Sequence, residues 1–272
     1  MTRVSKSRVI NSPIGLPEDP RKVEDLIQCL RIECSRWGFE TESLGRVGDD
    51  DLSLLRHSKH ARGPRVLVAA GFHGEEPAGC WGILHFLRSM DPTQIGVRLS
   101  LLPIVNSTGI RVGQRYNSWG QNPNSGFCHT ASGVPEPSRE GELLLNALPL
   151  LLDLAADGFL SLHEDIEMER FYLYTFENRP EPGSFTTALV TAGSEFFEPV
   201  ADGIVEGDEC RGGVIYRQCD GSFEDRLFHE GVPRTACTET PGMLPLARRV
   251  AANGRLLEVF CRFSADTLVT NK

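Results

Sequence analysis

Apolar residues recur along this chain with two different periods, and segments of the two kinds alternate. Residues 20–37 place Val23, Ile27 and Leu30 at the spacing of one helix face. The apolar runs VLVAA (66–70) and LSLLPIV (99–105) are instead continuous, which is typical of strands buried on both faces. Helices that alternate with buried strands favour an α/β fold with a mixed, mostly parallel central sheet and helices on both faces.

The same patterns extend over the rest of the sequence. Helical spacing predicts further helices at 76–90, 139–157, 184–197 and 244–263, the second of them broken at Pro149. Extended patterns predict strands at 39–47, 52–58, 65–72, 97–106, 158–163, 171–177 and 234–240. Residues 106–137 are rich in Gly, Asn and Ser, and irregular loops of that length are usually functional or disordered. We predict one domain over residues 1–272.

Composition narrows the classes of function. The chain has 272 residues, 40% hydrophobic and 24% charged, which is enough for one domain with an ordinary core. The net charge of −9 disfavours nucleic acid as a partner, because phosphate binding needs a basic face. Neither a signal-peptide pattern nor an apolar run of about 18 residues is visible, which predicts a soluble cytoplasmic protein with no membrane partner. The sequence leaves the oligomeric state open.

The eight cysteines are scattered along the chain and form no CxxC pair. This spacing offers neither a zinc ribbon nor a thioredoxin-type motif. In a reducing compartment buried thiols behave as small apolar side chains, so we predict eight free thiols.

Polar residues of the types used in catalysis and metal binding occur where the predicted strands end. His73 follows VLVAAGF, Asn106 ends LSLLPIV, His163 follows GFLSL and Glu239 follows RTACT. In open α/β sheets, ligands bind beyond the carboxyl ends of the strands. The sequence therefore predicts one site at that edge of the sheet.

A metal ion is the first candidate for this site. His73 and Glu76 lie three positions apart, so on one helical turn both side chains can ligate the same cation. A catalytic zinc takes three protein ligands and keeps one position open, and His163 is the candidate third ligand. Alone, the HxxE spacing is weak, because about half a match is expected by chance in such a chain. The alternative for His163 is a half-buried histidine with satisfied hydrogen bonds.

Five motifs in a fixed order strengthen the metal hypothesis. They are FHGEE (72–76), PIVNSTG (103–109), RYNSWGQNPNSGF (115–127), SLHED (161–165) and CTETPG (237–242). In these motifs the chain resembles the zinc carboxypeptidases, including bacterial relatives of the γ-D-glutamyl-diaminopimelate amidase type, which cleave peptidoglycan peptides. The resemblance spans about residues 65–260 and implies a carboxypeptidase-like fold. It also implies one zinc ion per chain, with no second metal expected.

The resemblance assigns a role to each matching residue. His73, Glu76 and His163 match the zinc ligands, Glu239 the general base and acid, and Arg115 the arginine that polarises the scissile carbonyl. Three further positions match residues that contact the substrate, namely Asn124, Ser125 and Tyr216. Amide hydrolysis needs an activated water and a proton acceptor, which a zinc ion and a carboxylate outside its ligand set supply.

Ser125 is the main departure from the family pattern. Asn124 matches the first residue of the family's Asn-Arg pair, but Ser125 stands in place of the arginine that binds the substrate carboxylate. A hydroxyl cannot replace a bidentate guanidinium, so removal of C-terminal amino acids requires Arg111, Arg170 or Arg217 to reach the same space.

A run of acidic residues beside the third ligand could also affect specificity. The segment HEDIEME contains Glu164, Asp165, Glu167 and Glu169. Such a cluster could attract a cationic substrate group or a second metal, and the alternative is a solvated charged face.

The sequence as a whole predicts a zinc-dependent hydrolase that cleaves an amide bond in a peptide or a peptidoglycan-derived peptide. One alternative is a deacylase of acyl amino acids like the aspartoacylases and succinylglutamate desuccinylases, which share this core. Another is a binding module that keeps the fold without catalysis. Retention of Glu239 argues against a pure binder, because binding alone does not need a base.

Overall fold

The computed structural model describes residue 16, residues 19–57, 62–128, 133 and 135–270, with side chains described as far as residue 267. The prediction that the chain has no signal peptide concerns the amino-terminal segment, and most of that segment lies outside the described residues. The last position of the strand predicted at 52–58 and part of the loop predicted at 106–137 lie outside them too.

Eight helices and ten strands occur in the described part of the chain. The helices are α1 (Val23–Trp37), α2 (Ala78–Ser89), α3 (Ser107–Val112), α4 (Arg139–Asn146), α5 (Leu148–Leu154), α6 (Ser184–Ser194), α7 (Phe223–His229) and α8 (Leu246–Thr270). The strands are β1 (Phe39–Val47), β2 (Asp50–His57), β3 (Arg65–Ala70), β4 (Arg98–Leu102), β5 (Gly158–Asp165), β6 (Tyr172–Glu177), β7 (Gly203–Val205), β8 (Asp208–Arg211), β9 (Val214–Tyr216) and β10 (Arg234–Pro241).

All ten strands form one mixed sheet in the order β1-β2-β4-β3-β5-β10-β6-β9-β8-β7. The four central strands β4, β3, β5 and β10 are parallel to one another. The outer pairings are antiparallel except that of β6 with β9. The α/β class is confirmed, but the sheet is not mostly parallel, because hairpins and antiparallel neighbours extend the parallel centre on both sides.

Helices cover both faces of the sheet, as predicted. Along β3, Val66, Val68 and Ala70 point into a core formed with α1, α2, α6 and α8. Leu67 and Ala69 point the other way, into a second core with α4, α5 and α7. Because successive side chains of a strand alternate between faces, a continuous apolar run is needed where both faces are buried.

The predicted elements match most of the observed ones. The helix predicted at 139–157 is broken into α4 and α5 at Ala147, and Pro149 lies in the first turn of α5, where its missing N–H costs nothing. The short elements α3, α7, β7, β8 and β9 were not predicted, because three to seven residues carry too little periodicity. All eight cysteines are free. Among the described residues, no helix has both the length and the apolar character needed to cross a membrane.

Candidate metal centre

Three neighbouring parallel strands bring the predicted site residues to one edge of the sheet. β5 lies between β3 and β10, and all three run in the same direction. His163 and Glu239 are directly opposite each other in the register of β5 and β10. His73 follows β3 by three residues. The sheet topology therefore places these side chains together although they are far apart in sequence.

His73, Glu76 and His163 form a buried group of potential metal ligands. Nδ1 of His73 lies 2.7 Å from Oε1 of Glu76, and Nδ1 of His163 lies 2.7 Å from Oε2 of the same carboxylate. Burial opposes the charged form of Glu76, but the two histidines outweigh it and lower the pKa of this carboxyl below its ordinary value. Two imidazoles and one carboxylate thus lie close enough together to bind the same metal ion.

The surroundings of the two imidazoles fit a divalent metal. Nε2 of His73 lies 3.1 Å from Oδ1 of Asn122. Nε2 of His163 has no hydrogen-bond partner among the described residues, but it lies 3.6 Å from Oε1 of Glu224. Metal-binding histidines usually direct their second ring N–H at a carboxylate, a carbonyl or water. With the proton on Nε2, the lone pair of each Nδ1 is free for the ion.

Two glycines shape the turn that carries His73 and Glu76. Gly71 has φ +71°, and a Cβ there would lie 2.6 Å from the sulfur of Cys80. A Cβ on Gly74 would lie 2.0 Å from the backbone of Gly109, so the turn approaches α3 too closely for any side chain at position 74. The turn is therefore fixed by packing against its neighbours.

Asn106 ties this turn to the loop that carries Arg115. Its Oδ1 accepts a hydrogen bond from the N–H of Gly109 and caps α3. Its Nδ2 donates to the carbonyl oxygens of Phe72 and Arg115, at 3.2 and 3.3 Å. Asn106 of the PIVNSTG motif therefore holds together the turn after β3 and the loop that carries Arg115. None of the residues 103–109 lines the cleft.

Glu164, the first residue of the acidic segment after His163, has a structural role. Its Oε1 accepts a 2.6 Å hydrogen bond from the N–H of Ala78, which caps α2 from a distant strand. Its other oxygen forms an ion pair with Arg249 of α8. Burial raises the pKa of Glu164 to about 7, although Arg249 opposes the shift.

Glu239 lies beside the ligand group and outside it. A carboxylate oxygen of Glu239 lies within 4.8 Å of a ring nitrogen of His163, and Oε1 accepts a 3.5 Å hydrogen bond from the thiol of Cys237. Burial, opposed by the charge of His163, raises the pKa of Glu239 to about 8. The side chain still reaches the cleft. A carboxyl that gains a proton readily beside a metal site is suited to proton transfer.

Two other groups of potential ligands occur among the described residues. His163, Cys237 and Glu239 form one, which shares His163 with the first. Cys128, Asp225 and His229 form the other, on the far side of α7, and His229 is largely exposed there. We favour the first group because all three of its members are buried and the second nitrogen of each imidazole faces an oxygen.

Arg115 extends over the rim of the site. Its side chain is 44% exposed, and Nη1 lies 3.4 Å from Oε1 of Glu76 and 3.8 Å from Oε1 of Glu75. The guanidinium is therefore close to the ligand group and still free to donate to an approaching carbonyl oxygen.

The three predicted substrate contacts have different positions. Ser125 and Asn124 line the cleft, but Asn124 is already engaged, because its Nδ2 donates to Glu224 and its Oδ1 accepts from the N–H of Phe223. The hydroxyl of Tyr216 donates to the carbonyl oxygen of Arg179 at 2.9 Å, and its ring lines a neighbouring pocket. Tyr216 therefore does not line the cleft in this structure, and its contact with the substrate stays a prediction.

Five residues of the site were not predicted from the sequence. Asn122 and Glu224 face the histidine nitrogens, and Tyr172, Tyr174 and Phe176 line the cleft from β6. The alternation in FYLYTFE places those three aromatic residues on one face, which was a usable signal. Glu224 lies within a Ser-x-x-Asp capping pattern at the start of α7, which predicts the helix start but not a contact with His163.

The site opens into a cleft of about 600 Å³ with a strongly acidic lining. Ten of its lining residues are acidic: Glu75, Glu76, Glu164, Asp165, Glu167, Glu206, Asp208, Asp220, Glu224 and Glu239. Arg115 is the only arginine or lysine among the described residues that line it. Glu169, the last residue of the acidic segment, is exposed outside the cleft.

The three arginines considered as replacements for the family arginine are engaged elsewhere. Arg111 is bound to Asp50, with Nη2 2.8 Å from Oδ1. Arg170 pairs with Glu198 at 3.2 Å, and Arg217 stacks over the ring of Phe228. None of the three lines the cleft.

Comparison with known proteins identifies the class. Residues 62–187 match the succinylglutamate desuccinylase/aspartoacylase catalytic domain. The chain is similar to the crystal structure of a candidate metallopeptidase from Shewanella amazonensis, with 39% identity, a TM-score of 0.86, and coverage of 90% of this chain and 94% of that one. A candidate metallopeptidase from Shewanella denitrificans gives 38% identity, a TM-score of 0.85, and coverage of 90% and 92%.

More distant structures share the fold. A metallo-carboxypeptidase from Burkholderia cenocepacia has 18% identity and a TM-score of 0.65, with 90% of this chain and 69% of that chain covered. No curated protein matches the sequence. The chain belongs to the same family as the candidate metallopeptidases from Shewanella, has the fold of the metallo-carboxypeptidases, and matches the succinylglutamate desuccinylase/aspartoacylase catalytic domain over residues 62–187.

Proposed function

We propose that this protein is a metal-dependent amide hydrolase whose single divalent ion, zinc, is held by His73, Glu76 and His163. The convergence of three buried donors, with an oxygen behind each imidazole, carries the proposal. Two imidazoles and one carboxylate form a donor set that zinc prefers in catalytic sites. When bound, such an ion supplies a Lewis acid that activates water and polarises a carbonyl group.

Glu239 is the proposed proton carrier. Its carboxylate accepts the proton of the attacking water and delivers it to the nitrogen of the leaving amine, so one group serves as base and then as acid. Its position opposite His163 in the sheet fixes it beside the reacting centre without using it as a ligand. Burial raises the pKa of this carboxyl, although the hydrogen bond from the thiol of Cys237 opposes the shift.

Arg115 is the proposed donor to the oxyanion. The guanidinium lies near Glu76 and remains 44% exposed, so it can turn toward a carbonyl oxygen at the site. Hydrogen bonds to a developing negative charge contribute more to the transition state than to the bound substrate, which is the condition for catalysis.

The substrate is an amide of a peptide or of an acylated amine. Ser125 and the engagement of Arg111, Arg170 and Arg217 disfavour ordinary removal of C-terminal residues, because no second guanidinium lines the described cleft. The match to the succinylglutamate desuccinylase/aspartoacylase domain favours a deacylase as the second candidate. A binding module is the remaining alternative, and it does not require a base at Glu239.

Replacement of Glu239 separates the enzyme from the binding module. A Glu239→Gln protein should keep its metal, because the three ligands are untouched, while turnover of a scissile amide falls by about 10²- to 10⁴-fold. Metal content and single-turnover rates on a panel of peptide and N-acyl amides measure both effects. Glu40→Gln, on an exposed position of β1, is the matched control and should change neither quantity. A Glu239→Gln protein with normal turnover would remove this mechanism.

A further inference from the structure

The acidic lining of the cleft extends well beyond the proposed metal ligands. Asp165 and Glu167 lie at the end of β5, Glu206 and Asp208 in the β7-β8 hairpin, and Asp220 just before α7. The side chains of Glu167, Glu206 and Asp208 have neither an ion-pair nor a hydrogen-bond partner among the described residues. The segment after β5 and the β7-β8 hairpin thus present unpartnered carboxylates to the same cavity, and we call these three side chains, together with Asp165 and Asp220, the acidic wall.

Aromatic rings also line the cleft beside these carboxylates. Tyr172, Tyr174 and Phe176 are alternate residues of β6, so their side chains share one face of the strand, and all three reach the cleft. The rings of Tyr172 and Tyr174 contact each other edge to face, with centroids 5.8 Å apart. The face of an aromatic ring attracts a cation through its quadrupole, so rings and carboxylates together favour a positively charged ligand.

We infer that the substrate's leaving group carries a positive charge and no carboxylate, as in an N-acyl diamine or polyamine. The inference rests on the proposed hydrolase and specifies its substrate class. Two further points support it. Arg115 is the only guanidinium among the described lining residues. The motif resemblance places Ser125, which also lines the cleft, at the position of the carboxylate-binding arginine. A carboxylate-bearing leaving group would meet repulsion from several acidic side chains and find no cationic partner beyond Arg115.

Two alternatives explain the acidic wall less well. A solvated charged face would have no relation to the site, whereas these side chains, although partly exposed, line the same cleft as His73, Glu76 and His163. A second metal would need carboxylates close to one another. Among the described residues, the groups that could hold an ion include none of Glu167, Glu206, Asp208 and Asp220.

Neighbouring carboxylates also affect Asp220. Burial, together with the nearby Glu224 and Asp225, raises the pKa of this carboxyl above its ordinary value, although hydrogen bonds from Ser222 oppose the shift. Burial alone raises the pKa of Asp208. A bound ammonium group would reduce the repulsion that Asp220 experiences from its neighbours.

The reaction is a hydrolysis with no other reactant. Water adds its oxygen to the acyl carbon, the C–N bond breaks, and the amine leaves with the proton that Glu239 transfers. The products are the free carboxylate of the acyl group and an amine that now carries two positive charges. The acidic wall holds the distal ammonium group while the scissile nitrogen lies near Glu239.

Three amides whose leaving amines each contain four carbons test the inference. They are N-acetyl-1,4-diaminobutane, N-acetylbutylamine and N-acetyl-4-aminobutanoate, which differ in the charge of the leaving group. We expect kcat/KM to be at least about 100-fold higher for the cationic than for the anionic substrate, mostly through KM. Added salt should reduce this preference.

Variants of the wall locate the effect. Asp208→Asn and Asp220→Asn should each lower the ratio of kcat/KM for the cationic amide to kcat/KM for the neutral amide by about tenfold. Asp25→Asn, on the exposed face of α1, removes the same charge far from the cleft and should have no effect. Calorimetric titration of the Glu239→Gln protein with 1,4-diaminobutane and with 4-aminobutanoate adds a readout that needs no turnover.

The outcomes separate the two proposals. Hydrolysis without a preference for the cationic amide overturns this inference and leaves the hydrolase standing. Absence of hydrolysis, with diamine binding that Asp208→Asn weakens, overturns the hydrolase and supports a cation-selective cleft. Absence of hydrolysis together with absence of diamine binding overturns both the hydrolase and the cationic leaving group.

Discussion

The parallel centre of the sheet and its antiparallel flank beyond β10 make different contributions to the cleft. In the centre, β3, β5 and β10 align His163 with Glu239 and bring His73 beside them. On the flank, β6 and the β7-β8 hairpin supply aromatic rings and unpaired carboxylates. The centre therefore holds the candidate metal ligands and Glu239, whereas the flank determines much of the charge and the aromatic lining of the cleft.

The two regions also differ in how they are stabilised. β3 and β5 are buried on both faces and lie in the middle of the sheet, with neighbouring strands on both sides. β7, β8 and β9 have three or four residues each, and Ile204 of β7 is 72% exposed. Reactive groups therefore lie on the rigid part of the fold. The residues that we assign to specificity come from short elements that can change without unfolding the core.

Loss of a central ligand should have the largest effect. His163→Ala removes one of three donors, so metal content should fall from one ion per chain to near zero. Activity should fall by at least about 10³-fold, more than removal of a single oxyanion donor usually costs. Metal analysis after dialysis, with amide turnover, measures both.

His229→Ala is the matched control for that variant. His229 belongs to the group with Cys128 and Asp225 on the far side of α7, so its loss should leave metal content unchanged. Full metal content in His163→Ala, with metal loss in His229→Ala, would show that the ion binds to Cys128, Asp225 and His229. The parallel centre of the sheet would then not hold the metal.

Glu224 connects the ligand group to α7 and should have the next largest effect. Its Oε1 faces His163, and its Oε2 accepts a 3.1 Å hydrogen bond from Asn124. In Glu224→Gln, one of these two N–H donors must face an NH₂ group. Metal affinity should fall by about 10- to 100-fold, the usual cost of losing such a partner, and competition with a chelator measures it. Unchanged affinity would show that Glu224 does not orient His163.

The central region is also the part that the sequence predicted best. The alternation of helices and apolar runs indicated the α/β class, and the ends of the predicted strands pointed to His73, His163 and Glu239. This success has a physical cause. A strand buried on both faces must be apolar throughout, so its polar end residues are conspicuous. The mostly parallel sheet was a wrong expectation, because hairpin strands at the edges are exposed on one face and do not give that signal.

The flank was predicted poorly for the opposite reason. β7, β8, β9 and α7 are short, so neither period is repeated often enough to be recognised. Tyr216 was expected in the cleft from a motif resemblance, whereas Tyr172 and Tyr174 occupy the wall. The contact between Glu224 and His163 depends on how the start of α7 packs against β5. The spacing of residues along the chain does not predict this packing.

A charge added at Ser125 should alter specificity by a smaller amount. Ser125→Arg restores a guanidinium near Asn124, so activity on substrates with a free carboxylate should rise. The gain is bounded by the roughly 1.5 to 3 kcal/mol of a charged hydrogen bond, and we expect about tenfold because the cleft is open to water. The kcat/KM values for N-acetyl-4-aminobutanoate and a dipeptide measure it. No gain on any such substrate would show that position 125 does not face the leaving group.

The smallest effect is expected at the opposite edge of the sheet. Asp50 of β2 accepts hydrogen bonds from Arg111 and from Ser107, the latter at 2.7 Å. Asp50→Asn should reduce the free energy of unfolding by about 1 kcal/mol, a modest value because the pair is only partly buried. Turnover should not change, since neither residue lines the cleft. The neighbouring exposed Asp49→Asn is the control and should leave stability within about 0.5 kcal/mol.

The pH dependence of this loss identifies its cause. Hydrogen bonds from Arg111, outweighing the cost of burial, lower the pKa of Asp50 below its ordinary value of about 3.9. The stabilisation is therefore present in full above that value and is lost as the pH falls through the lower pKa of the folded state. Urea unfolding of the wild-type and Asp50→Asn proteins should show a constant difference from pH 7 to pH 5 and a shrinking one toward pH 3. A difference that persists undiminished at pH 3 would assign the effect to packing and not to the charge of Asp50.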